Sequence, residues 1–168
     1  MRKSIFGLIA ACSAAPALAA PDSATVVAQV KATVVRPLML TSTGSLNFGT
    51  IVLNGLTSNR TVSLSMTNIR DCGGGTAQLI CSGATSVPTY NVRGTNNQTA
   101  TIIKTATNLV NAANGATLSM SLIGPATITF TNNSANGVNF TIGASITLTP
   151  ATGDGLYTGS VNVQVDYQ

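Results

Sequence analysis

Apolar and polar residues alternate along most of the chain with a period of two, the spacing of a strand that buries one face. Runs rich in Val, Ile, Thr and Leu predict strands over 60–67, 99–104, 116–123, 126–131 and 138–148. The dipeptides Asn54-Gly55, Asn114-Gly115 and Asn136-Gly137 punctuate these runs. Both residues of such a pair accept the positive φ of a tight turn at little cost. No stretch sustains a 3.6-residue period, and 108–113 suffices for one helical turn at most. Many short strands with frequent turns predict an all-β sandwich. Its contacts are distant in sequence, so it is expected to fold slowly.

The two ends carry the clearest alternation. Tyr157, Gly159, Val161, Val163, Val165 and Tyr167 fall on one face of a C-terminal strand, with Thr158, Ser160, Asn162, Gln164 and Asp166 on the other. Near the other end, Ala24, Val26, Ala28 and Val30 share a face opposite Thr25, Gln29 and Lys31, with Val27 breaking the pattern. Arg36-Pro37 follows, and proline cannot donate to a ladder, so it belongs at a strand edge or a break. Two readings stay open here. Residues 24–40 form one long first strand kinked near Pro37, or residues 20–31 form a detached arm ahead of a domain spanning 32–168.

The extreme N-terminus changes the inventory. Arg2 and Lys3, an apolar run from Ile5 to Cys12 and the small-x-small triplet Ala17-Leu18-Ala19 have the order of a secretory leader. Residues 1–19 are thus expected to be removed between Ala19 and Ala20. The rival, a lipoprotein signal ending at Cys12, has too short an apolar run before the cysteine. No later stretch approaches the roughly 20 apolar residues of a membrane span. The mature chain is expected to be exported, without a membrane span.

Loss of the leader leaves six Lys and Arg against four Asp, a net charge of +2 where the full chain carries +4. The six cations are scattered, and a nucleic-acid footprint needs them clustered. Only 7% of residues are charged, and there is no His, Trp or Glu. General acid–base catalysis and zinc sites lean on those types, so enzymatic activity is not expected. Asp71 and Asp154 read as turn residues, and one Asp in Gly153-Asp154-Gly155 falls short of a calcium cage. No cofactor is implied. Cys72 and Cys81 remain in the mature chain and, in an oxidising compartment, read as a disulfide. Two thiols without His or further Cys make a poor metal site.

The residues at both ends also carry a resemblance. The C-terminal strand, with penultimate Tyr167, alternating valines and Gly155 fourteenth from the end, resembles subunits of chaperone–usher pili. Val35-Arg36-Pro37-Leu38 through Leu46-Asn47-Phe48-Gly49-Thr50-Ile51 resembles the opening of pilin-like and spore-coat-like bacterial domains. The likeness is greatest to a pilin-like family catalogued as a domain of unknown function. It implies an immunoglobulin-like β-sandwich lacking its last strand, with a hydrophobic groove beside the C-terminal strand. A periplasmic chaperone would fill that groove first. At an outer-membrane usher, the arm of the next subunit would then replace the chaperone. By position, Val161, Val163, Val165 and Tyr167, with Tyr157, would form the groove strand. Gly155 and Gly159 would allow close backbone approach, and Ala24, Val26, Ala28 and Val30 would be the donor side chains. The expected product is a fimbria-like fibre at the cell surface, built from head-to-tail copies of this or related subunits. The alternative is a secreted or coat-type sandwich completed by its own first strand. One departure stands out: pilins commonly join the first strand to the next by a disulfide, whereas Cys72 and Cys81 lie together in mid-chain.

Overall fold

In the computed structural model, residues 24–74, 77–131 and 136–168 are described. The leader and the Ala19–Ala20 cleavage pair lie outside them. Residues 24–33 carry no strand and their side chains are exposed. The compact unit spans Val34–Gln168.

Within that unit the period-two segments become antiparallel strands. In chain order they are β1 (Met39–Thr43), β2 (Thr50–Leu53), β3 (Arg60–Leu64), β4 (Arg70–Cys72) and β5 (Leu79–Ser82). Then come β6 (Thr89–Arg93), β7 (Thr99–Ala106), β8 (Leu109–Asn111), β9 (Thr117–Leu118) and β10 (Met120–Ile123). The last are β11 (Thr127–Thr129), β12 (Val138–Thr141), β13 (Gly143–Leu148), β14 (Tyr157–Thr158) and β15 (Val161–Tyr167). They pair in the orders β1-β6-β12, β10-β13-β3-β4, β11-β7-β15, β14-β8-β9 and β2-β5. No helix occurs among the described residues, and residues 108–113 hold β8 and a turn instead of a helical turn. The chain is an all-β sandwich.

The alternation decides the register. Opposite Val62 and Leu64 of β3 stand Ile146 and Ala144 of β13, all buried, while the Ser63–Ser145 and Thr61–Thr147 pairs point outward. A slip of one residue would exchange these faces, so burial fixes the pairing. Two core clusters result. One gathers Val62, Leu64, Leu79, Leu118, Ile146 and Leu148 around Phe48. The other gathers Val92, Ile102, Phe130 and Ile142 around the stacked rings of Tyr90 and Phe140, whose centroids are 5.3 Å apart. Burial pushes the Tyr90 phenol above its ordinary pKa. Leu122 packs against both clusters.

The run 138–148 is interrupted at its middle. β12 pairs with β6, whereas β13 pairs with β3 and β10, so the chain changes sheets at the fully buried Ile142. Gly143 makes the crossing sterically feasible, because a Cβ there would collide with the Leu64 carbonyl oxygen. Cys72 and Cys81 form a disulfide, with Cα atoms 6.0 Å apart, that ties β4 to β5.

Candidate functional site

A groove of about 1200 Å³ runs between two segments distant in sequence. One wall is Ser45–Leu53, which includes β2; the other is Thr152–Gly159 followed by Val161. Leu109, Leu118, Met120, Ile146 and Leu148 also line it and give it an apolar interior. The volume exceeds the roughly 300–1,000 Å³ of typical small-molecule sites. Both walls end in unpaired backbone among the described residues. β2 pairs only with β5, β14 only with β8, and β15 only with β7. Such edges with an apolar lining between them are a template for an added strand.

The first wall is shaped by Leu46-Asn47-Phe48-Gly49. Asn47 Oδ1 accepts the Gly49 amide at 2.9 Å, and Gly49 adopts φ +77°, so the chain turns sharply before β2. Phe48 is thereby driven into the core. Beneath the turn, Arg70 Nη1 donates to the carbonyls of Phe48 and Ser82, both at 2.8 Å. A side chain on Gly49 would strike that guanidinium. The tight turn and the space for the arginine both require glycine here.

The second wall is braced by side chains. Tyr157 donates its hydroxyl to the Gly153 carbonyl at 3.0 Å, and Thr152 Oγ1 accepts the Thr149 amide at 2.9 Å. Behind this wall lies Asn111, 1% exposed. Its Nδ2 donates to the Asp154 carbonyl at 2.8 Å, and its Oδ1 accepts the Ala113 amide at 3.0 Å. Gly155, at φ +131°, lies so close that a Cβ would overlap the Asn111 amide. At the groove, Leu156 on this wall is 77% exposed and Val52 on the other 45%.

The structure divides the residues expected of the groove strand. Gly155, Tyr157, Gly159 and Val161 line the groove. Val165 is buried in the second core cluster, and Val163 and Tyr167 pack against it; none of the three lines the groove, although they share the β15 face with Val161. The strand is also broken. Ser160 donates its amide to Thr107 Oγ1 at 2.8 Å and accepts the Thr107 amide at 3.0 Å, separating β14 from β15. Tyr167 closes the domain: its hydroxyl accepts the Thr95 amide and donates to the Arg36 carbonyl, each at 2.8 Å. Its ring packs edge-on to Phe130, with centroids 6.1 Å apart. Of the residues expected to be donors, Ala24, Val26, Ala28 and Val30 are all exposed and in no strand. Asn111 and Arg70 escape sequence reasoning. Asn111 sits in Asn111-Ala112-Ala113-Asn114-Gly115, which signals a turn, and nothing marks its side chain as buried.

The profile of a family described as Domain of unknown function (DUF4402) matches residues 38–167. No curated protein matches the chain, and no solved structure does. Among the described residues, no helix is long and apolar enough to cross a membrane.

Proposed function

The chain belongs to the DUF4402 family, and from that premise we propose that it is a structural subunit of a surface fibre, joined to its neighbours by donor-strand exchange. The observation that carries this reading is the apolar groove between two unpaired strand edges, β2 on one side and β14–β15 on the other. The same chain bears a segment suited to fill it. Val26 and Val30 are 92% and 91% exposed, at alternate positions with Ala24 and Ala28. Exposed alternating apolar residues outside any strand are a liability unless another surface covers them.

Physical magnitudes favour a long-lived contact. Burying each of the two valines contributes roughly 1.5–3 kcal/mol, and the alanines less. A strand added across residues 24–31 forms about eight ladder bonds, each worth roughly 0.5–1.5 kcal/mol net. An arm that enters the groove of another copy leaves that copy's own arm free, so the contact does not close and the product is a filament. In this reading a periplasmic chaperone holds the groove until an outer-membrane usher exchanges it for the arm. Such a chaperone also keeps unpaired edges from aggregating. The sparsely charged surface, rich in Ser, Thr and Asn, lets subunits stack with little like-charge repulsion.

Deletion of residues 20–31 tests the reading. The shortened chain is expected to fold with its disulfide intact, remain monomeric and still be captured by the chaperone. Unfolding on deletion would instead favour a self-completed secreted or coat-type sandwich.

A further inference from the structure

We propose that Asn111 is the positioning residue that holds the groove open by latching its second wall from behind; this rests on the strand-accepting reading of the groove. Asn111 is the one buried polar residue among the described residues, and its Nδ2, its Oδ1 and both of its backbone groups each have a partner. Its backbone N–H donates to the Ala116 carbonyl and its carbonyl accepts the Gly115 amide, both at 2.8 Å, which fixes the residue on the β8–β9 side. Its side chain then reaches the opposite way, to the Asp154 carbonyl. Tyr157 stands directly across the ladder from it. Beside the Tyr157–Gly153 brace, the wall segment Asp154–Leu156 is held from behind by one amide hydrogen bond and by the close seating of Gly155 against that amide.

A buried amide is a costly choice unless fully satisfied, and an apolar residue would fill the same space more cheaply. What the amide adds is direction, since its Nδ2 fixes where the Asp154 carbonyl lies. That carbonyl precedes Leu156, which stays 77% exposed at the groove instead of collapsing onto the apolar lining. A wall held in this way receives an incoming strand without first reorganising, and preorganisation lowers the cost of binding.

The test is Asn111→Asp in the full mature chain, kept at a concentration where it is monomeric. The variant keeps the acceptor for Ala113. When ionised it loses the donor for Asp154 and sets a carboxylate against a carbonyl. When protonated it regains a donor, and burial places that protonation at a raised pH. The elements packed against position 111 bring two other titratable residues, Asp154 and Tyr157, and the wild-type control carries both. Amide hydrogen exchange over residues 153–156 is expected to quicken about tenfold or more at pH 8 relative to wild type, the effect of losing one satisfied buried group. It should return toward the wild-type rate in mild acid. Capture of a labelled peptide of residues 20–31 should slow and recover in parallel. Unchanged exchange at pH 8, or loss without acid recovery, overturns the latch. Failure of wild type to capture the peptide, with the exchange pattern as predicted, overturns the strand-accepting reading and leaves the latch standing.

Discussion

Tyr167 separates two roles that its place in the sequence leaves mixed. By resemblance it belongs to the groove strand; in the fold its hydroxyl joins Thr95 to Arg36 and its ring rests on Phe130. Tyr167→Phe removes the hydroxyl and keeps the ring. Two hydrogen bonds of 2.8 Å are lost, at about 0.5–1.5 kcal/mol each, so the domain should lose about 1–3 kcal/mol. Arg36 and Thr95 remain linked, because the Arg36 amide donates to Thr95 Oγ1 at 2.7 Å, which favours the lower half of that range. With a urea m-value of about 2 kcal/mol/M, a 2 kcal/mol loss lowers the unfolding midpoint by about 1 M at unchanged slope. Capture of the arm peptide, measured well below that midpoint, should stay at the wild-type rate, since Tyr167 does not line the groove. Normal stability with abolished capture would refute the reasoning and return Tyr167 to the binding surface.

Two further perturbations have defined outcomes. Replacing Cys72 and Cys81 together by Ala opens a loop of sequence separation 9 and should cost about 2.7 kcal/mol by the chain-entropy relation, read by denaturant titration against the oxidised parent. Val26→Ser with Val30→Ser should leave monomer stability within about 0.5 kcal/mol, because both side chains are exposed. The same pair should weaken self-association by about a hundredfold or more, two buried valines' worth, as read by sedimentation over a concentration series.

Much of this fold is legible in local pattern. Period two at 99–104 and 126–131 locates β7 and β11, and the Asn-Gly pairs fall where the chain turns. Pairing is less legible, because alternation states which face is buried but not which strand lies alongside. Residues 157–167 read as one strand, yet Thr107 binds both backbone groups of Ser160 and the two halves pair with different partners. Within β15, Val161, Val163 and Val165 share one face, yet only Val161 lines the groove while Val163 and Val165 meet the core, because alternation does not say what packs along the strand. The run 138–148 conceals a change of sheet that the different partners of β12 and β13 reveal and the close seating of Gly143 against Leu64 permits. Leu46-Asn47-Phe48-Gly49 can be read as a turn, but not as a groove wall, since Arg70 and Ser82 complete it from afar. Asn111 depends on a contact with Asp154, 43 residues away, and no local periodicity encodes that.

Amide exchange on the domain lacking residues 20–31, with and without a synthetic peptide of that segment, tests the strand-accepting groove most directly. The account predicts protection confined to the free edges, residues 50–53 and 156–161, with the interior strands β3 and β13 unchanged. Saturating peptide that protects neither edge, or binding that a scrambled peptide reproduces, would contradict it.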